Sequence, residues 1–298
     1  MPADERAPAV ETPAEEDRLL RKSARAAHKA ELAARELFFA QARELTPYLS
    51  VVIGEEVFFV STDDLGVGRR VFVRKGRRDM KSLAKTLALL TELGHRLPDD
   101  ATFVDVGANI GTTTVAALRR HGFAAGVALE PSPGNFQLLR LNLVANGLDG
   151  LVRALPVAAH DEPGVVALDV SGANHGGHHV QTGPLADRAA SVESVTLDGL
   201  VASDVLDPDR VGLLWVDTPG SECRVLLGAA RLLREGIPSV VTIRPREIET
   251  HSALVDLLTA TYTDVIELRK GERRLPIGEL AALSASYQHK GDVLLVRR

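Results

Sequence analysis

The chain has 298 residues, of which 45% are hydrophobic and 25% are charged, a balance typical of globular domains with a large core. Acidic residues outnumber basic residues by 40 to 35, so no basic field favours nucleic acid as a partner. The one cysteine, Cys223, excludes an intramolecular disulfide and a zinc site with paired thiolates. No apolar run approaches the roughly 18 residues of a membrane helix, and the acidic, Pro- and Ala-rich start is unlike a secretory signal. We therefore expect no membrane partner and a cytoplasmic location.

The N-terminal part predicts a tail and a long helix. Residues 1–17 have little apolar material to bury and should be disordered. From Arg18 the chain is rich in Ala, Leu, Glu and Arg, and Pro47 closes the predicted helix. Its apolar stripe favours a helix laid on the main domain, with a homodimer through this helix as the alternative. The stripe consists of Leu19, Ala26, Ala30, Ala33, Leu37 and Ala40.

Residues 18–98 as a whole should pack on the core as this helix, a hairpin and a second helix. The runs EEVFFVS (55–61) and RRVFVRK (69–75) are rich in β-formers, and the turn-like TDDLGVG between them predicts the hairpin. The amphipathic run DMKSLAKTLALLTELG predicts a helix that ends at Gly94.

Residues 99–298 alternate between short apolar strands and helices. TFVDVG predicts a strand, GTTTVAALRRHG a helix and AGVALEP a second strand, and this rhythm continues to the final strand DVLLVRR. Continuous apolar strands alternating with helices predict an α/β, Rossmann-like fold with a mostly parallel sheet covered on both faces. The third strand is followed by a segment that could begin with an extra strand and continues as a Gly- and His-rich loop.

Ligands of an open parallel sheet bind beyond the carboxyl ends of its strands. The first strand ends in Asp105, and Gly107 and Gly111 allow a tight turn and a close approach to a ligand. The second strand ends in Glu130, about where an acid would bridge ribose hydroxyls. Two acids without a phosphate site favour a nucleoside with a cationic tail, and S-adenosylmethionine is the common cofactor of that description.

A nicotinamide-dependent oxidoreductase is the weaker alternative. The dinucleotide fingerprint has glycine at the position of Asn109, where a pyrophosphate would meet the helix N-terminus. A turn without ligand, with Asp105 acting only as a helix cap, is the structural alternative for the motif.

From about Val57 onward the sequence resembles the FkbM-type class I methyltransferases. The matching runs are FVDVGANIGTTTVAAL, ALEPSPGNFQLLRLNLVANGL, ANHGGHHV, VTLDGL and GLLWVDTPGSECRVLLGAARLL. The resemblance implies a seven-stranded sheet with an antiparallel last strand, and it assigns residues 99–298 to an S-adenosylmethionine-binding methyltransferase domain. It also implies methylation of an oxygen on a small-molecule or sugar acceptor, as in secondary metabolism.

The resemblance also assigns residues to the cofactor by position. One group would surround the methionine part, a second would hold the ribose, and a third would lie near the adenine. They are Asp105, Gly107, Asn109, Gly111 and Thr112; Glu130, Pro131, Ser132 and Phe136; and Ala158, Ala159 and His160.

The acceptor side departs from the family pattern. Thr218 and Pro219 stand where relatives have an apolar residue and then Glu or Gln, and Ile243 and Arg244 stand where relatives tend to have a glutamate. A non-catalytic cofactor-binding scaffold or partner subunit is therefore an alternative function.

Methylation of a hydroxyl requires a base. The candidate catalytic residues are Asp217, which faces the reaction centre in the resemblance, Glu222, and His175 of the loop. The neighbouring His160, His178 and His179 are further candidate bases. A metal held by loop histidines and Asp217 is the less favoured alternative, and we expect no metal.

Overall fold

The computed structural model describes residues 13–76, 78–170, 172–180, 189–246, 248, 251–268 and 272–298. Its helices are α1 (Pro13–Ala42), α2 (Val67–Arg74), α3 (Arg78–Glu92), α4 (Thr112–Arg120), α5 (Pro133–Ala145), α6 (Leu197–Ala202), α7 (Glu222–Leu227), α8 (Ala230–Arg234), α9 (Ser252–Thr261) and α10 (Leu280–Ala285). Its strands are β1 (Tyr48–Ile53), β2 (Glu56–Ser61), β3 (Thr102–Val106), β4 (Ala125–Leu129), β5 (Val152–Leu155), β6 (Ala158–Ala159), β7 (Gly164–Asp169), β8 (His179–Val180), β9 (Ala189–Val195), β10 (Val211–Val216), β11 (Ser239–Ile243), β12 (Asp264–Glu267), β13 (Arg274–Pro276) and β14 (Gly291–Val296). Within the described ranges, no helix is both long enough and apolar enough to cross a bilayer.

The main sheet confirms the predicted α/β fold. Its strand order is β13-β12-β14-β11-β10-β3-β4-β5, and β14 runs antiparallel to both of its neighbours. The five strands from β11 to β5 are mutually parallel. The expected seven strands are present, and the short β13 adds an eighth at the edge beside β12.

Helices cover both faces of this sheet, so its central strands are buried throughout. Every residue of β3, β10, β11 and β14 is buried. Trp215 on β10 is only 4% exposed, and its ring lies 6.5 Å from that of Phe103. This packing confirms the continuous apolar strands expected of a two-sided parallel sheet.

A second, four-stranded sheet with the order β6-β9-β7-β8 follows the third strand of the main sheet. The segment expected to contain one extra strand and a loop therefore contributes three strands, β7, β8 and β9. The histidine-rich run forms a single 3₁₀ turn, His175–Gly177, followed by the short strand β8. Residues 171 and 181–188 of this segment lie outside the described residues.

The N-terminal helix differs from its prediction at its start and in its packing face. It begins at Pro13, so residues 13–17 are helical instead of part of a disordered tail, and residues 1–12 lie outside the described residues. The predicted stripe is exposed: Leu19 and Leu37 are 50% and 60% exposed. As the face that packs on the main domain the stripe was wrong, because the helix packs through its C-terminal half, where Phe39 is buried and Leu32 joins the same apolar cluster. The alternative of a homodimer through this helix stays a prediction.

The predicted pairing of the hairpin was also wrong. A hairpin is present, but it joins β1 to β2, and RRVFVRK lies largely within α2. The turn-like residues before it form the helix start, where the buried carboxylate of Asp64 accepts hydrogen bonds from the N–H groups of Gly66, Val67 and Gly68. Burial of the apolar face and this cap outweigh the β-propensity of Val and Phe.

Side-chain amides of α5 pair with the free edge of β2. Asn142 accepts a 2.6 Å hydrogen bond from the N–H of Phe59, and its amide group donates to the carbonyls of Phe59 and Ile110. Asn146, directly after α5, accepts a hydrogen bond from the N–H of Val57 and donates one to the carbonyl of Val57. The asparagines thus replace a neighbouring strand and join the hairpin to the loop that contains Ile110.

We predict that Asn142→Ala lowers the free energy of unfolding by about 2–3 kcal/mol, because it leaves buried backbone groups without partners. Gln137→Ala, at an exposed position of the same helix, is the matched control. Urea unfolding checks the difference, and equal midpoints for the two variants would contradict the role of Asn142.

Candidate functional site

A cleft of about 650 Å³, including its open mouth, lies at the carboxyl ends of β3, β4 and β10. This is the position where open α/β sheets bind ligands. The glycine loop after β3, the end of β4, the second sheet and the segment after β10 form its walls. The lining residues are Val106, Gly107, Asn109, Leu129, Glu130, Pro131, Asn135, Val157, Ala158, Ala159, Leu168, His175, Gly176, His178, His179, Val180, Asp217, Thr218, Pro219 and Ser221.

The loop after β3 approaches the end of β10 too closely for a side chain. Gly107 has a φ of +85°, and a Cβ atom there would lie 2.4 Å from the carbonyl oxygen of Asp217. The N–H of Asp217 in turn donates to the carbonyl of Val106. Asn109 also has a positive φ, of 53°, a conformation that Asn adopts more readily than most residues. These contacts turn the loop so that Asn109 lines the cleft.

Glu130 is a buried carboxyl group that joins two loops. Its Oε2 atom accepts a 2.8 Å hydrogen bond from the N–H of Asn109, and its Oε1 atom accepts one of the same length from the N–H of Ser132. Burial raises the pKa of Glu130 to about 7, although these hydrogen bonds act in the opposite direction. The group lines the cleft at the end of β4, where the sequence places a ribose-binding acid.

The histidine-rich turn covers the cleft through its backbone. The carbonyl of His175 accepts hydrogen bonds from the side-chain amides of Asn109, at 3.3 Å, and Asn135, at 3.0 Å. The rings of His175 and His178 stack with their centroids 5.3 Å apart. Burial and the neighbouring His175 lower the pKa of His178, so this imidazole is neutral at pH 7.

Several buried polar atoms of the cleft lack protein partners among the described residues. They are the side-chain oxygens of Asn109, Asn135 and Thr218 and both ring nitrogens of His178. Buried polar atoms are hydrogen-bonded in nearly all proteins. In this open cleft the missing partners are water or a polar ligand, and a polar ligand bound here would meet several hydrogen-bonding atoms at once.

Asp217 lines the cleft at the end of β10 and forms an ion pair with the side chain of Lys290. Its Oδ1 atom lies 3.1 Å from Nζ of Lys290, in the loop before β14. The next residue, Thr218, brings its buried hydroxyl to the same wall. Of the other two positions that depart from the family pattern, Ile243 is buried in the core and Arg244 is exposed.

The structure brings together about half of the predicted site residues. Those that line the cleft are Gly107, Asn109, Glu130, Pro131, Ala158, Ala159, His175, His178, His179 and Asp217. The predicted site residues that do not line the cleft are Asp105, Gly111, Thr112, Ser132, Phe136, His160 and Glu222.

The residues outside the lining have structural contacts instead. Asp105 is buried and accepts a 2.5 Å hydrogen bond from the hydroxyl of Thr114 on α4. His160 lies 2.6 Å from Asp161, and Glu222 accepts a hydrogen bond from the N–H of Gly220 at the start of α7. Gly111 begins α4 with a φ of +82°. These residues shape the loops around the cleft.

Besides Thr218 and Pro219, sequence reasoning missed eight lining residues: Val106, Leu129, Asn135, Val157, Leu168, Gly176, Val180 and Ser221. Asn135 follows the second strand within PSPGNF, so its amide could have been found by the same strand-end rule. Leu168 and Val180 come from β7 and β8 of the second sheet, whose pairing across 12 residues leaves no local pattern. Ser221 follows the Thr218–Pro219 departure and has no signal of its own.

The residues of the cleft fit S-adenosylmethionine. Unpartnered amide oxygens suit hydroxyl and amino donors, the carboxyl group of Glu130 suits ribose hydroxyls, and the small side chains of Ala158 and Ala159 leave room for a flat ring. In the part of the chain that the structure describes, no three His, Cys, Asp or Glu side chains form a group that could hold a metal ion.

The model of the methyltransferase FkbM domain matches residues 105–266 of the chain. A protein described as Methyltransferase 1 from Beauveria bassiana (strain ARSEF 2860) is 29% identical over 148 residues, which are 44% of this chain and 59% of that protein. A methyltransferase FkbM from Methylobacillus flagellatus KT aligns with a TM-score of 0.43 and 15% identity over 67% of this chain and 44% of its own. Precorrin-6y C5,15-methyltransferase from Geobacter metallireducens GS-15 aligns with a TM-score of 0.39 and 17% identity, over 72% of this chain and 86% of its own. The chain thus spans less than two thirds of the first two of these relatives.

The raised pKa of Glu130 predicts that affinity for S-adenosylhomocysteine increases about tenfold from pH 6 to pH 8, because an ionised carboxylate accepts stronger hydrogen bonds from ribose. Without ligand, the free energy of unfolding has the opposite pH dependence. The protonated form of Glu130 favours the folded state, and this contribution to the free energy of unfolding is lost as the pH rises through about 7.

Calorimetry of Glu130→Gln checks this prediction. The affinity of this variant for S-adenosylhomocysteine should not increase from pH 6 to pH 8. Glu92→Gln, at the exposed end of α3, is the control and should retain the increase. A Glu130→Gln variant with the pH dependence of the parent protein would contradict the assignment.

Proposed function

We propose that this chain, which belongs to the FkbM methyltransferase family, transfers a methyl group from S-adenosylmethionine to a hydroxyl oxygen of a small-molecule or sugar acceptor. Such acceptors are typical of secondary metabolism. The observation that carries the proposal is the cluster of unpartnered buried polar atoms between the glycine loop, α5 and the end of β10. A polar ligand bound in the cleft would replace the water that otherwise has to satisfy these atoms.

The cofactor would be held by the lining residues that the sequence assigns to it. Gly107 and Asn109 would contact the methionine part, Glu130 would accept hydrogen bonds from the ribose, and Ala158 and Ala159 would lie against the adenine. When bound, S-adenosylmethionine supplies an electrophilic methyl group on a positively charged sulfur. The same sites would hold it whether or not the chain is catalytic.

The acceptor would enter beside Asp217 and Thr218, at the wall formed after β10. A displacement at carbon requires the attacking oxygen to be aligned with the bond that breaks, and positioning of this kind contributes on the order of 7–11 kcal/mol. Asp217, fixed by Lys290, can accept a hydrogen bond from an acceptor hydroxyl and orient its oxygen. The hydroxyl of Thr218 offers a second contact for a polar acceptor.

His178 would receive the proton that the acceptor hydroxyl loses. Its imidazole lines the cleft, its lowered pKa keeps it neutral, and neither ring nitrogen has a partner among the described residues. The other candidates suit this role less well. Asp217 is paired with Lys290, and Glu222 lies outside the described lining and accepts a hydrogen bond from Gly220.

We predict that His178→Gln lowers kcat by about 10²–10⁴-fold while the Kd for S-adenosylhomocysteine changes little, because it removes only the general base. In the parent protein kcat should fall at acidic pH as His178 becomes protonated, at a pH below the ordinary pKa of histidine. His28→Gln, on the exposed part of α1, is the control. If His178→Gln turns over at the parent rate, the assigned role is wrong.

The proposed function itself is tested by incubating the full chain with S-adenosylmethionine and a panel of hydroxylated acceptors. Acceptor-dependent release of S-adenosylhomocysteine, together with a methylated oxygen in the product, is the expected result. Tight binding of the cofactor without any release would instead support the scaffold function that the Thr218–Pro219 departure favours.

A further inference from the structure

We propose that Asp64 is a positioning residue for the cofactor site, although it lies in the N-terminal part of the chain, 41 positions before the first motif residue Asp105. Its carboxylate would hold the histidine-rich turn over the cleft. The inference rests on the proposed function in one respect: it takes the ligand of the cleft to be the methyl-donor cofactor.

Asp64 joins two segments that are distant in the sequence. Its Oδ1 atom accepts hydrogen bonds from the N–H groups of Gly66 and Val67 at the start of α2, and also from the N–H of His175 at 3.1 Å. The neighbouring N–H of Leu65 donates to the carbonyl of Ala173 at 2.7 Å. Asp64 is only 2% exposed, so water does not compete for these bonds.

The two segments are also in contact through their glycines. A Cβ atom on Gly176 would lie 2.6 Å from Cγ2 of Val67, and one on Gly66 would lie 1.7 Å from Oδ1 of Asn174. Both distances are shorter than real Cβ contacts, so a larger residue at Gly176 requires the buried Val67 to shift, whereas one at Gly66 requires only the exposed side chain of Asn174 to move. The next residue, Gly177, has more room, since its nearest neighbour would be 3.3 Å away.

The opposite side of the same turn contacts the cleft. His175 donates its N–H to Asp64 and accepts hydrogen bonds at its carbonyl from Asn109 and Asn135. The backbone of this residue therefore links Asp64 to two residues that line the cofactor cleft. Release of the N–H bond would let the turn move away, and His178, three residues later, would lose its place in the wall.

The N-terminal helices hold Asp64 in position. The guanidinium group of Arg35 on α1 donates to the carbonyls of Phe72 and Val73 at the end of α2, and Glu36 forms a two-bond ion pair with Arg69. These contacts fix α2, and Asp64 lies three residues before its first residue, Val67. The N-terminal part of the chain would thus contribute to cofactor binding without contacting the cofactor.

The alternative is that Asp64 serves only as the cap of α2. A cap affects stability and leaves the cleft unchanged, whereas a positioning residue also affects the turn and the ligand. Cofactor affinity, the exchange rate of the His175 amide and the rescue of a steric clash therefore distinguish the two roles.

The first experiment compares Asp64→Asn with Asp63→Asn, its exposed neighbour, in the full chain. We expect Asp64→Asn to raise the Kd for S-adenosylhomocysteine about tenfold and to speed amide exchange at His175 by at least as much, because it weakens a buried charge-assisted bond. Asp63→Asn should match the parent protein in both measurements. If Asp64→Asn lowers only the Tm and keeps the parent Kd and exchange rate, Asp64 is a cap and the proposal is overturned.

The second experiment leaves Asp64 intact. Gly176→Ala should raise the Kd because its methyl group collides with Val67, and the double variant with Val67→Ala should regain at least half of the lost affinity. Gly177→Ala is the milder comparison. Absence of rescue would overturn the proposal. If the parent protein binds no S-adenosylhomocysteine, the proposed function fails, and the exchange rate at His175 still decides the role of Asp64.

Discussion

The structure of the cleft depends on burying the carboxyl group of Glu130 between two loops. The backbone N–H groups of Asn109 and Ser132 approach its two oxygens from the glycine loop and from the start of α5. Because these loops follow neighbouring parallel strands, one side chain fixes both strand ends against each other. Burying such a group is unfavourable in itself, as the raised pKa indicates, and a ligand that donates hydrogen bonds would offset this cost.

Three separate parts of the chain complete the cleft around this carboxyl group. The main sheet supplies the floor, the segment after β10 supplies Asp217 and Thr218, and the histidine-rich turn supplies the cover. The turn is held by Asp64 on one side and by two asparagine amides on the other. The cover of the cleft therefore depends on contacts from the N-terminal part of the chain as well as from the loops of the main sheet.

The features that the sequence predicted correctly are local. The alternation of strands and helices, the glycine loop after β3 and the position of Glu130 at the end of β4 follow from residues within about 30 positions of one another, whereas Asp105 lies outside the lining of the cleft. The failures involve contacts between distant segments. RRVFVRK has the composition of a strand, yet it is helical because its apolar face is buried against α1, a contact that no local pattern reports. The cap by Asp64 is local and was a usable signal.

The missed parts of the site have a different cause. Leu168 and Val180 are ordinary apolar residues of short strands, so they carry no motif, and only the pairing in the folded chain places them in the cleft. The choice of His178 over His175 as the base depends on which imidazole has buried nitrogens without partners among the described residues, which only the folded chain defines.

The central claim is that the cleft at the strand ends binds a nucleoside with a cationic tail. Isothermal titration of the full chain with S-adenosylmethionine, S-adenosylhomocysteine and NAD tests it most directly. The account predicts saturable binding of the first two compounds at one site per chain and no heat with NAD. Binding of NAD alone, or no heat with any of the three, would contradict it.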